Sequence, residues 1–139
     1  MFYNTSRFDR FRECMKLVAG LRGDEEVLNF FKSRRVFVTG AVKCRPPSRG
    51  ALEEMRRNCL SKLGAELELL TPRRVVAMGR TAASSVSELL GVEPPASMVE
   101  GGSVRAGGLE VFFAPHPNYL LRFRRDLIPK LRELLLKRG

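Results

Sequence analysis

Two short apolar runs, each followed by a loop with glycine or proline and arginine, constrain the fold of this chain most. The first run spans residues 36–42 and leads into the loop at 43–50. The second spans residues 74–78 and leads into the turn at 79–82, and an amphipathic helix predicted over 52–70 separates the two runs. Apolar runs of this length that alternate with helices predict buried strands of a parallel sheet. The loops at the carboxyl ends of such strands form a crevice that favours an anion.

A third strand is predicted near residues 109–114, in a hairpin with residues 103–105. Further helices are predicted at 81–90 and 125–137. This alternation predicts a small three-layer α/β sandwich with a mostly parallel sheet. Right-handed crossovers would then bring three loops to one edge of that sheet, at 43–50, 79–82 and 115–121.

Length and composition limit the class of protein. The 139 residues, 44% of them hydrophobic, suffice for one domain over residues 1–139, with a helical segment at 1–35 and an α/β core at 36–139. No apolar run approaches the ~18 residues that a membrane span needs. The first residues lack the basic-then-apolar pattern of a signal peptide. The sequence therefore favours a cytoplasmic protein without membrane contact.

The net charge of +10 indicates either a polyanionic partner or a basic solvated surface. It results from 25 Lys and Arg residues against 15 Asp and Glu residues, and arginine, which dominates, binds phosphate through a planar fork. Because several arginines lie in the strand-end loops, a nucleic acid is the favoured partner. An arginine-rich chain without tryptophan also fits a heat-adapted source, where ion-pair networks are common.

Three segments in order resemble the iron–sulfur families of the uracil-DNA glycosylase superfamily. Residues 39–47 (T-G-A-V-K-C-R-P-P) resemble the family segment T-N-V-V-K-C-R-P-P. Residues 75–82 (V-V-A-M-G-R-T-A) resemble V-x-A-L-G-R-T-A, and residues 116–122 (H-P-N-Y-L-L-R) resemble H-P-S-x-L-L-R. The resemblance implies a glycosylase-like fold, DNA as the partner and a link to base-excision repair. It also implies a catalytic role for His116, which matches the histidine that stabilises a departing uracil anion.

The strand-end loops supply the candidate contacts with nucleic acid. Basic and hydroxyl side chains suit phosphate, a helix N-terminus favours an anion, and Tyr119 suits stacking on a base or wedging beside one. The candidates are Lys43, Arg45, Ser48, Arg49, Gly79, Arg80, Thr81, Asn118, Tyr119 and Arg122. Plainer interpretations stay open: a solvated connection at 43–50, an ion pair for Arg80, and a strand-end cap for His116.

Two departures from the family pattern bear on catalysis. Gly40 stands where members often have the asparagine that reads the uracil edge, and glycine offers a base no side chain. Only residues 21–35 separate the Cys14 segment from the first predicted strand, so the family's water-positioning segment and central first strand are missing. Cleavage of an N-glycosidic bond requires aimed water as well as a stabilised anion. We therefore expect a DNA-binding protein of DNA repair with reduced or no ordinary uracil excision.

Two other functions stay open. An active glycosylase would use His116 on a deaminated base, with a water positioner still to be identified. A structural or accessory subunit of a repair or replication complex would receive the missing strand from a protein partner or from a second copy of the chain.

Cys14, Cys44 and Cys59 are too few and too scattered for a disulfide framework. They are either buried thiols, the common state of free cysteine, or part of a metal site. The resemblance aligns them with three of four cluster ligands and places Phe11 at the fourth. Because a cluster normally needs four cysteine ligands, no cofactor is expected to be required. We expect the three sulfurs to converge in a small apolar contact, with an iron–sulfur cluster as the alternative.

Overall fold

The computed structural model describes residues 9–41, 49–99 and 101–136. The helices in these ranges are α1 Asp9–Ala19, α2 Asp24–Ser33, α3 Leu52–Leu70, α4 Arg80–Leu90, α5 Pro117–Phe123 and α6 Ile128–Leu136. The strands are β1 Arg74–Met78, β2 Gly102–Ala106 and β3 Leu109–Ala114. Short 3₁₀ turns at Arg49–Ala51 and Arg125–Leu127 lead into α3 and α6. The predicted strands at 74–78 and 109–114 and the predicted helices at 52–70 and 81–90 agree with these bounds to within one residue.

The chain forms two compact units, one of residues 40–115 and one of residues 1–39 together with 116–139. In the first unit, the described strands make a mixed sheet in the order β1–β3–β2. β1 and β3 are parallel, with Met78 opposite Ala114, whereas β2 and β3 are an antiparallel hairpin. The α/β class is confirmed, and one of the two strand pairings has the parallel sense that was predicted.

Apolar side chains of the sheet and of α4 form the core of the unit at 40–115. The core residues are Ala77, Ala83, Val86, Met98, Val111 and Phe113. Helix α4 packs on β1, and α3 packs on α4. Among the described strands, β1 and β2 are the sheet edges. The completion of the sheet by a partner protein or a second copy stays a prediction.

A buried arginine joins α3 to α4. Arg56 is only 5% exposed, and its Nε and Nη2 donate to the two carboxylate oxygens of Glu53 at 3.0 and 2.7 Å. Its Nη1 donates to Glu88 at 3.0 Å, across the helix pair. The hydrogen bonds with Glu53, followed by the one with Glu88, raise the pKa of Arg56. The apolar face predicted for α3 therefore contains a satisfied cation beside Cys59 and Leu63.

In the second unit, α1 packs against α2, α5 and α6. The buried side chains of this unit include Met15, Val18, Val27, Phe31, Leu120, Leu121, Ile128 and Leu131. The periodic apolar positions of α1 and α5 thus face the core of this unit, as helical spacing requires. Over the described residues, none of the helices is both long and apolar enough to span a bilayer.

The strand predicted at 36–42 is wrong for its described part, because residues 36–41 form no strand. The start of this segment instead completes the C-terminus of α2. Arg35 adopts a left-handed φ of 57°, and the Val36 N–H donates to the Phe31 carbonyl at 2.9 Å, which is the Schellman arrangement. A β-prone run becomes a strand only where a neighbouring strand pairs with it. The described strands provide no such pairing for 36–41.

The predicted loop at 115–121 is also wrong, because residues 117–123 form helix α5. His116 is the N-cap, and Pro117 lies in the first turn, where its fixed φ suits a helix and its missing N–H removes no helical bond. Leu120 and Leu121 then bury their side chains. Proline next to a capping side chain, followed by two leucines, was a sequence signal for a short helix.

Candidate functional site

The turn after β1 places polar groups at the carboxyl edge of the parallel strand pair. Gly79 is buried and has a φ of 94°, which a residue without Cβ adopts most readily. Its N–H donates to the Ala114 carbonyl at 2.8 Å, so the ends of β1 and β3 are joined directly. Helix α4 begins at the next residue and has no side-chain cap on its first turn. The first N–H groups of α4 therefore lie at this edge, where an anion is favoured.

Arg80 is exposed at the start of α4, and Thr81, in the same turn, is partly buried. The Arg80 Nη2 donates to the Ala96 carbonyl at 3.0 Å. In the described part of the chain its hydrogen-bond partner is thus a neutral oxygen, and its positive charge remains available to phosphate. The alternative interpretation of Arg80, an ion pair, is not what these residues show.

His116 lies two residues beyond β3 and caps α5 with its side chain. Its Nδ1 accepts a hydrogen bond from the Asn118 N–H at 3.1 Å. Although the residue lies at the surface, neighbouring protein atoms desolvate the ring and lower the pKa of His116 from its usual 6.5. The backbone donor to Nδ1 favours the same neutral form. Neutral His116 therefore carries its proton on Nε2, which leaves an N–H donor on the ring atom that the cap does not use.

Helix α5 carries the remaining candidates of this segment on its exposed side. Asn118, Tyr119 and Arg122 are all exposed. Tyr119 contacts the ring of Phe123 at a centroid distance of 5.6 Å, and the Arg122 guanidinium lies 5.5 Å from the same ring. Phe123 was not among the predicted contacts, although its spacing of four residues from Tyr119 would place both rings on one helix face.

Several predicted contacts lie where the structure gives no description. Lys43, Arg45 and Ser48 fall outside the described residues, and for Arg49 only its position at the start of a 3₁₀ turn is described. The prediction that these side chains line one groove together with Arg80 and Arg122 therefore remains a prediction.

Two of the three cysteines are described, and both are buried thiols. Cys14 lies in α1, where burial raises the pKa of its thiol to about 11, and Cys59 lies in α3. Cys44 falls outside the described residues, so the convergence of the three sulfurs stays a prediction. Over the described residues, no group of three or more His, Cys, Asp or Glu side chains could hold a metal ion. These residues alone do not fit an iron–sulfur cluster, which needs four ligands.

Comparison with known proteins agrees with the motifs. A family model described as the uracil DNA glycosylase superfamily matches residues 1–138. The chain is similar to a type-5 uracil-DNA glycosylase of Pyrobaculum aerophilum, with 41% identity over 87 residues, covering 63% of this chain and 38% of that protein. It is also similar to a type-4 uracil-DNA glycosylase of Thermotoga maritima, with 35% identity over 104 residues, covering 73% of this chain and 52% of that protein.

A type-4 uracil-DNA glycosylase of Pyrobaculum aerophilum shares 33% identity over 105 residues, covering 66% of this chain and 54% of that protein. The chain thus spans about half or less of the length of these curated relatives. No solved structure gives a significant match. The family resemblance predicted from the three motifs is confirmed.

Proposed function

Because the chain belongs to the uracil DNA glycosylase superfamily, we propose that it binds DNA and serves base-excision repair with reduced or no ordinary excision of uracil. The observation that links the described residues to base excision is the state of His116. Its Nδ1 is occupied by the Asn118 N–H, and its pKa is lowered by desolvation. The residue is therefore a neutral donor through Nε2 at neutral pH.

A neutral donor of this kind suits a leaving base. When an N-glycosidic bond breaks, the base departs with the bonding electrons and the sugar becomes oxocarbenium-like. An N–H held toward the base oxygen stabilises the developing negative charge, and a donor that is already fixed needs no reorganisation during the step. The hydrogen bond from Asn118 holds the imidazole ring in one orientation, so His116 would act from a preorganised position.

The reduction of uracil excision follows from two departures elsewhere in the chain. Gly40 has no side chain for the uracil edge. Residues 24–33, in the interval where the family would carry its water-positioning segment, form helix α2. The chain thus lacks both a side chain that recognises uracil and a segment that positions the attacking water. Each of these losses lowers the rate of uracil excision, whereas His116 is retained.

A second candidate function is an active glycosylase on another deaminated base. The same His116 geometry favours it, because a purine such as hypoxanthine or xanthine also leaves as an anion. The two functions differ in which lesion gives product, so an excision assay on several lesions separates them.

We expect little product when the protein is incubated with uracil-containing DNA and the strand is then cleaved with alkali. Gly40→Asn is expected to raise the uracil product by about tenfold or more. The reason is that the added amide can hydrogen-bond the edge of uracil, and hydrogen bonds of this kind favour the matching base over others by at least that factor. Parallel reactions with hypoxanthine- and xanthine-containing strands test the second candidate. Efficient uracil excision by the unaltered chain would contradict the proposed reduction.

DNA binding itself is expected to weaken steeply with salt. If the five candidate basic side chains each neutralise one phosphate, the logarithm of the association constant falls with the logarithm of salt concentration with a slope of about −4 to −5. Arg80→Gln should reduce this slope by about 1. Arg57→Gln, which removes the same charge from a 71% exposed side chain on α3, is the control and should leave the slope nearly unchanged. Binding that is absent in low salt, or insensitive to salt, would contradict the proposal.

A further inference from the structure

Two aromatic rings on α5 are exposed in a way that packing does not explain. Phe123 is 66% exposed and Tyr119 is 39% exposed. The same short helix already supplies Leu120 and Leu121 to the core, so the rings are not needed to anchor it. An exposed phenylalanine loses the favourable transfer of its ring from water. The two rings therefore form an exposed apolar surface that is available to a binding partner.

The geometry of the pair suits flat partners. The ring centroids are 5.6 Å apart and the planes are tilted by 49°, so neither ring covers the face of the other. Residues four apart lie on one side of a helix, which places the two rings in line along α5. Nucleobases present faces of this size and chemistry, and base–aromatic stacking is tolerant of sequence.

The charge around the rings favours a polyanion over an uncharged apolar partner. The Arg122 guanidinium lies 5.5 Å from the Phe123 ring, and no carboxylate of the described residues pairs with it. The next carboxylate along the chain, Asp126, is held by Arg124 through hydrogen bonds of 3.0 and 2.9 Å. The Arg125 Nε donates to the Leu121 carbonyl, so this cation is held close to α5. A cation beside a stacking ring is the combination that single-stranded DNA binding uses.

We propose that Tyr119, Phe123 and Arg122 form a stacking surface for the unpaired bases of single-stranded DNA. This inference rests on the proposed DNA binding and adds the form of DNA that is preferred. Duplex bases are already stacked and paired, so this surface gains nothing from an intact duplex. His116 caps the same helix, so a strand that stacks along α5 runs toward the residue proposed to act on a base.

The chain contains no tryptophan, which makes Phe123→Trp a single-tryptophan reporter at the proposed surface. Titration with an oligothymidylate should quench its fluorescence strongly, because a stacked base quenches an indole ring. Leu69→Trp is the matched control, since Leu69 is 85% exposed on α3 and should report little change. A duplex of the same length should quench the Phe123→Trp variant far less. Equal quenching in both variants, or no quenching in Phe123→Trp, would overturn the inference.

Affinity measurements complete the test. Phe123→Leu keeps an apolar side chain and removes the ring; it should weaken oligothymidylate binding by about tenfold and leave duplex binding within about twofold. Phe123→Tyr, which keeps a ring, should retain the affinity of the unaltered chain. If the unaltered chain binds neither single strands nor duplex, the proposed function fails and takes this inference with it. If the chain binds DNA and Phe123→Leu changes nothing, or changes only self-association, this inference alone is overturned.

Discussion

Replacement of His116 by asparagine is expected to lower base excision by about 10²–10³-fold while leaving helix α5 folded. The asparagine Oδ1 can take the place of Nδ1 as acceptor for the Asn118 N–H, and asparagine is among the best N-cap residues. The donor at Nε2 is lost. His116→Gln is the complementary change, because its amide reaches the Nε2 position but fits the cap poorly. The glutamine variant should keep more activity and lose about 1 kcal/mol of stability.

The measurement is product formation in single-turnover reactions on whichever deaminated base gives product, paired with thermal unfolding of each variant. A purely structural cap would give the opposite ranking, with asparagine close to the unaltered chain in both readouts. Equal activity of His116→Asn and the unaltered chain, or absence of product from every lesion, would contradict the catalytic role.

The pH dependence gives a second check on His116. Its folded-state pKa lies below the usual 6.5, so the neutral form dominates at and above that pH, and activity should be level there. As the pH falls through the lowered pKa, protonation of Nδ1 removes the acceptor of the Asn118 N–H. Both activity and the contribution of this group to stability should then decline. His116→Asn should lack this step in its stability profile, since asparagine does not titrate in this range.

Loss of the Arg56 guanidinium is expected to have the largest effect on stability. Arg56→Ala should lower the free energy of unfolding by about 3 kcal/mol, because it removes a buried side chain and three charge-assisted hydrogen bonds, two to Glu53 within α3 and one to Glu88 on α4. A loss of this size corresponds to roughly 10 °C in the midpoint of thermal unfolding. Arg56→Met keeps most of the buried volume and should recover about half of the loss, as urea and thermal unfolding would show.

Arg56, Glu53 and Glu88 form an ion cluster, which can also be tested by changing its two carboxylates. Glu53→Gln combined with Glu88→Gln leaves the Arg56 charge buried without its anionic partners, and should lower the unfolding midpoint more than Arg56→Met does. The control is Glu68→Gln, an exposed position on α3. A double-glutamine variant as stable as the unaltered chain would show that the cluster contributes little.

Acid should weaken this cluster. The hydrogen bond from Arg56 is the largest of the causes that lower the pKa of Glu53 below 4.5. A carboxylate with a lowered folded-state pKa contributes stability above its unfolded pKa and loses that contribution as the pH falls through the folded value. The decline should therefore begin below about pH 4.5 and should be smaller in Arg56→Met.

Local sequence patterns located some elements well and misplaced others. The apolar period predicted a helix over 52–70, which are the ends of α3, because helix periodicity is a local property. The β1 and β3 segments were predicted correctly because short apolar runs that contain β-branched residues and lie between turn residues favour the strand conformation. The strand prediction was wrong for residues 36–41 because a strand forms only beside a neighbouring strand that pairs with it. A local sequence pattern contains no information about that neighbour.

The candidate site shows the same division. Sequence alone identified His116, through its place in a family motif, and predicted a basic, arginine-rich surface from composition. The hydrogen bond that fixes the tautomer of His116 depends on α5 being a helix, whereas the sequence pattern predicted a loop there. The exposed pair of Tyr119 and Phe123 and the burial of Arg56 also emerged only from tertiary structure. Residue types set which groups can donate, stack or carry charge. Whether a group is buried, held in one orientation or left facing solvent depends on elements distant in sequence, and only packing of the folded chain decides it.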